Sequence, residues 1–114
     1  MPRFVILEHD WPHQHWDLML ESGATLRTWR LAESPVPGTD IRAEPIADHR
    51  RAYLDYEGPI SGNRGSVTRW DSGEFTWQQD DSSEVIVILA GKVCSGKLRI
   101  SAQAGVARFE PFHQ

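Results

Sequence analysis

Two imidazoles and a carboxylate stand close together near the start of the chain: His9, five residues, His15, one residue, Asp17. In an extended strand alternate side chains share a face, so His15 and Asp17 point the same way, near enough to share an ion. His9 closes the preceding apolar run and can approach from the side. Two neutral imidazole nitrogens and one carboxylate make a three-ligand set with open positions, suited to Mn²⁺, Zn²⁺ or Fe²⁺. The open positions would admit water or phosphate. Taken alone, such a pattern more often means surface polarity or an ordinary His–Asp hydrogen bond.

The surrounding sequence supplies the elements that must hold these groups. Phe4 to Leu7 is a short apolar run with β-branched members and reads as a buried strand. From His15 to Leu20 the pattern alternates, with Trp16, Leu18 and Leu20 on one face and His15, Asp17 and Met19 on the other. Glu21 to Ala24 reads as a turn and Thr25 to Leu31 as the returning hairpin strand. Glu33 to Glu44, with Pro35, Pro37 and Gly38, is expected to be a loop. Within Ile46 to Tyr56 the choice between a helical turn capped by Asp48 and an irregular loop stays open. Beyond it, Ser66–Trp70, Glu74–Trp77, Val85–Leu89, Lys97–Ser101 and Val106–Phe109 read as strands. Asp71-Ser72-Gly73 is expected to be a turn, Gln79–Glu84 an acidic loop and Pro111–Gln114 a frayed terminus. Many short strands with little helical periodicity predict a mainly β fold, a small closed or nearly closed barrel of mostly antiparallel strands.

Composition narrows the functional classes. A chain of 114 residues, 39% of them hydrophobic, can bury one core, so one domain over 1–114 is expected. No apolar run approaches the ~18 residues of a membrane span, and no signal-peptide pattern opens the chain, which favours the cytoplasm. The net charge of −4 argues against a global grip on nucleic acid, so any such contact should be weak and local. Ten arginines against two lysines supply planar forks suited to phosphate. The single Cys94 is expected to be a small buried side chain without a chemical role, and most of the five tryptophans to be core.

Phe4-Val5-Ile6-Leu7-Glu8-His9, followed after five residues by His15-Trp16-Asp17-Leu18-Met19-Leu20-Glu21, resembles the opening of the 3′-phosphoesterase domain of bacterial DNA ligase D. Asp48-His49-Arg50-Arg51-Ala52-Tyr53 running into Tyr56-Glu57-Gly58 is similar to that family's second signature. Val67 to Gly73 and Ser95 to Ile100 resemble its Trp-Asp-x-Gly segment and its closing strand. The resemblance implies that His9, His15 and Asp17 ligate a metal, usually manganese with zinc as the alternative, and that His49 and Tyr53 contact the scissile phosphate. It further implies an enzyme that trims 3′ ends of nucleic acid, removing a terminal ribonucleoside and then the 3′-phosphate.

The chain also departs from the family pattern. Where the family places a phosphate-gripping arginine two residues after the metal-binding Asp, this chain has Met19. Losing a bidentate phosphate contact predicts a cost of about 2–4 kcal/mol of transition-state stabilisation. Arg27, Arg30, Arg42, Arg50 and Arg51 are the candidates to replace it. Gly62-Asn63-Arg64-Gly65 reads as a turn. A polar segment that family members carry ahead of the first strand is expected to be missing. The leading expectation is a metal-dependent phosphoesterase acting on nucleic-acid 3′ ends or a smaller phosphate ester. The second is a weakened metal-binding relative that serves as a nucleic-acid-end or protein-binding module. With no ligase or polymerase signature in the chain, such activities would come from separate partner chains.

Overall fold

The computed structural model describes residues 1–111 of the chain. Among the described residues nine strands follow one another: β1 (Arg3–His9), β2 (His15–Ser22), β3 (Thr25–Leu31), β4 (Asp40–Arg50), β5 (Gly58–Pro59), β6 (Ser66–Asp80), β7 (Glu84–Gly91), β8 (Ser95–Ser101) and β9 (Val106–Pro111). A single 3-10 turn, Arg51–Leu54, lies between β4 and β5. The strands form one antiparallel sheet in the order β1-β2-β3-β4-β9-β8-β7-β6-β5, and pairing of β1 with β6 closes it into a ring. The mainly β barrel expected from the sequence is what forms. Closure leaves few unpaired strand edges. Among the described residues no helix is long and apolar enough to cross a membrane.

Two apolar layers explain why β1 is apolar without interruption. Phe4 and Ile6 point into the barrel with Leu18, Leu20, Trp29, Phe75 and Leu98. Val5 and Leu7 point outward and are buried too, with Met19, Leu26, Leu54 and Val67, beneath Tyr53 and Ile60. Alternation on β2 falls as the sequence indicates: Leu18 and Leu20 inward, Met19 outward. The segment from Arg51 to Ile60 thus roofs the outer face of β1 and β2, the face that carries His9, His15 and Asp17.

Several local expectations need correcting. The loop expected over Glu33–Glu44 ends early, because β4 starts at Asp40 and buries Ile41 and Ala43 in the barrel. Asp48 caps nothing. It lies within β4 and accepts a hydrogen bond from Thr25 Oγ1 at 2.8 Å, while the 3-10 turn begins behind Arg50 with no side-chain cap. Asp71-Ser72-Gly73 is not a turn but the middle of the long strand β6. Trp70 is the extra residue of a bulge there, since Ile6 pairs with Asp71 and Leu7 with Arg69. The buried Asp71 carboxylate accepts four backbone N–H groups, from Ser72, Lys92, Val93 and Cys94, at 2.8–3.0 Å. The acidic loop shrinks to residues 81–83, where Asp81 Oδ1 accepts the N–H groups of Ser83 and Glu84 and the Ser83 hydroxyl. Those bonds draw the Asp81 carboxyl down to about 2. Cys94 is half-buried, and burial with the nearby Asp71 carboxylate pushes its thiol up to about 12. Four tryptophans pack at the core, whereas Trp11 is exposed. Pro111 closes β9, and the rest of the terminus expected to fray lies outside the described residues.

Candidate metal centre

Strand register brings the three sequence-predicted donors together. β1 and β2 pair so that His9 sits opposite His15 and Leu7 opposite Asp17. Their ligand atoms all lie within 4.8 Å of one another. Asp17 Oδ2 is 3.3 Å from His15 Nε2 and 3.8 Å from His9 Nδ1. His15 and Asp17 are each 4% exposed, which makes an uncompensated set of polar atoms expensive here.

The far nitrogen of each ring is held by a backbone carbonyl. His9 Nε2 donates to the carbonyl of Arg64 at 2.8 Å, and His15 Nδ1 to that of His13 at 2.9 Å. A carbonyl only accepts, so these nitrogens carry the protons of the neutral rings. The lone pairs of His9 Nδ1 and His15 Nε2 are thereby left facing the Asp17 carboxylate. His15 Nε2 and Asp17 Oδ1 are buried without a hydrogen-bond partner. With both rings neutral, these converging acceptors have no donor between them and repel one another, and a divalent cation would satisfy all three. The donor set therefore fits a metal ion such as manganese or zinc.

A cleft of about 140 Å³ opens beside these groups, lined among others by His9, Asp17, Met19, His49, Tyr53 and Arg64. His49 arrives from the end of β4 and Tyr53 from the 3-10 turn, their rings edge to face with centroids 5.5 Å apart. His49 Nδ1 donates to the Ala47 carbonyl at 2.9 Å, which leaves its Nε2 uncommitted. Met19 is only 1% exposed and offers the cleft no donor.

The five candidate arginines scatter. Arg27 points toward the barrel mouth, with Nη1 2.9 Å from Asp80 and its guanidinium over Trp29 and Trp77. It helps line a larger cavity of about 320 Å³ that none of the three donors reaches. Arg51 is paired with Glu21, whose carboxyl is held below its ordinary range by the Arg3 N–H and by Arg51 itself. Arg42 is exposed on β4 opposite Val106. Arg50 is exposed beside a neighbouring hollow shared with Tyr53 and Tyr56. Arg30 alone of the five adjoins the donors: it pairs across with Asp17, its Nε 4.0 Å from Asp17 Oδ1.

Sequence reasoning missed the carbonyls of His13 and Arg64, because backbone groups carry no residue-type signature. The Gly-Asn-Arg-Gly turn that presents one of them was legible. Asn63 and Gly65 both adopt positive φ there, and the Arg64 side chain folds back on Ser61, with Nε 2.7 Å from its carbonyl.

The profile of the DNA ligase D 3′-phosphoesterase domain matches residues 7–104, which include all three donors, His49 and Tyr53. A multifunctional non-homologous end joining protein LigD of Pseudomonas aeruginosa is 30% identical over 105 residues, covering 83% of this chain and 12% of the relative. The multifunctional non-homologous end joining DNA repair protein LigD of Mycobacterium tuberculosis is 34% identical over 103 residues, 82% of this chain and 14% of the relative. The chain thus spans about a seventh of the length of these relatives or less. With matching order of signatures, matching sequence over most of the chain and a barrel that gathers the signature residues at one cleft, the chain belongs to the DNA ligase D 3′-phosphoesterase domain family.

Proposed function

We propose that this chain is a divalent-metal-dependent phosphoesterase acting on 3′ ends of nucleic acid in DNA repair, with His9, His15 and Asp17 holding manganese or zinc. The observation that carries the reading is the convergence of three lone-pair donors whose outer nitrogens are fixed by the carbonyls of Arg64 and His13. When bound, such an ion neutralises phosphoryl oxygens and lowers the pKa of a water nucleophile.

The protein's own groups do the rest. The two carbonyls fix the His9 and His15 tautomers, so neither neutral ring must turn or change tautomer to ligate. His49, anchored through Nδ1 to Ala47, keeps Nε2 for the cleft, where in its doubly protonated imidazolium form it can donate a proton to the departing oxygen. The Tyr53 hydroxyl adds a neutral donor to a phosphate oxygen. Contact with the nucleic acid is local, confined to the 3′ end.

Purified protein incubated with a 3′-phosphorylated primer–template should release inorganic phosphate with Mn²⁺ and not with chelator. No release with any divalent ion would reject the catalytic reading. The buried Met19 favours a second one, a metal-binding module that holds nucleic-acid ends or a protein without cleaving. That module would bind Mn²⁺ and the 3′ end yet liberate no phosphate.

A further inference from the structure

We infer that Arg30 is the residue that grips the substrate phosphate at this centre, reaching it from β3. The inference rests on the phosphoesterase reading above. Antiparallel pairing sets Arg30 directly across from Asp17 on the same outer face, where facing Cβ atoms lie about 5 Å apart. Its Nε is buried with no hydrogen-bond partner, 4.0 Å from Asp17 Oδ1, beyond hydrogen-bond range. The side chain is 42% exposed and lines a surface hollow together with His13 and His15. Arg27, Arg51 and Arg64 are tied to acceptors of their own away from the donors, whereas Arg30 has only the Asp17 carboxylate, 4.0 Å from its Nε, beside it.

Charge gives the arrangement its meaning. A guanidinium beside the ligands of a dication opposes binding of that ion, since like charges a few ångströms apart repel. The repulsion is offset when an anion joins the site, because a phosphate between the ion and the arginine is attracted by both. Arg30 should therefore disfavour the metal alone and favour metal plus phosphate. A residue that merely oriented Asp17 would have the opposite signature, and its loss would weaken metal binding.

The test is calorimetry on the full chain, first with Mn²⁺ and then with inorganic phosphate on the Mn²⁺-loaded protein, for wild type, Arg30→Ala and Arg30→Lys, each checked for an unchanged circular dichroism spectrum. Arg30→Ala should bind Mn²⁺ at least as tightly as wild type while its phosphate affinity falls about tenfold to hundredfold. Arg30→Lys should retain charge but not the planar fork, and fall between the two. Weaker Mn²⁺ binding by Arg30→Ala with unchanged phosphate affinity would overturn the inference in favour of a positioning role. Phosphate affinity equal in all three proteins, or none in loaded wild type, would overturn it while leaving the metal centre standing. Failure of wild type to take up Mn²⁺ would overturn both.

Discussion

The donors of the candidate centre were readable as residues because strand alternation fixes which side chains share a face. What holds the donors was not. The proton positions on His9 and His15 depend on two carbonyls, one of them delivered by the turn around Arg64. Gly65 sets that turn. Its φ is +72°, and a Cβ there would lie 2.2 Å from Asp10 Oδ1 and 2.6 Å from Trp11 Cβ. Gly65→Ala should therefore lower stability by more than the ~1–2 kcal/mol of a left-handed backbone alone, and should displace the Arg64 carbonyl from His9. Thermal melts and Mn²⁺ titration would register both effects. Gly62→Ala is the control: its φ is also positive, but its Cβ would meet only Arg64 Nε at 3.4 Å, and it should cost less. Equal losses from the two variants would mean that crowding at Gly65 is not what shapes the site.

At the scale of elements, β1, β2 and β3 were legible because their apolar patterns are dense and their turns are marked. β4 and the middle of β6 were not. In β4 the buried Ile41 and Ala43 alternate with Arg42 and Glu44 just after a proline-rich stretch, so the turn residues dominate the reading. In β6, Asp-Ser-Gly carries every sign of a turn, yet the chain spends it on a bulged strand. Its Asp71 ties the β7–β8 connection to the strand beside β1. Removing that carboxylate leaves buried N–H groups unpaired, and Asp71→Ala should destabilise the protein by about 3 kcal/mol or more in urea denaturation. It should also relieve the pressure on Cys94, whose thiol, pushed up to about 12, ought to resist alkylation at neutral pH in the wild type and react faster in the variant. A loss near zero would mean that water satisfies those amides as well as Asp71 does.

Considered as a whole molecule, the barrel gathers its candidate site residues on one outer face. The roof made by residues 51–60 buries a second apolar layer and carries Tyr53 to the cleft, while His49 comes from the β4 end that leads into it. Beyond the unbroken apolar run of β1, this double layering leaves no mark in the residue pattern. Net charge, by contrast, needs no fold to interpret. At −4 the protein has no attractive field for DNA beyond its local arginines, so binding to a 3′-phosphorylated duplex should lose affinity only gently with salt. A log–log slope shallower than about −3, corresponding to a few phosphate contacts, is expected. A slope of −6 or steeper would reveal an extended nucleic-acid interface that the charge distribution does not suggest. Everything functional still turns on whether the three convergent donors hold an ion. Calorimetric titration of Mn²⁺ and Zn²⁺ into wild type and His15→Ala measures this directly: one site per chain in the wild type, lost or weakened at least a hundredfold in the variant, is the predicted result, and indistinguishable titrations of the two proteins would contradict it.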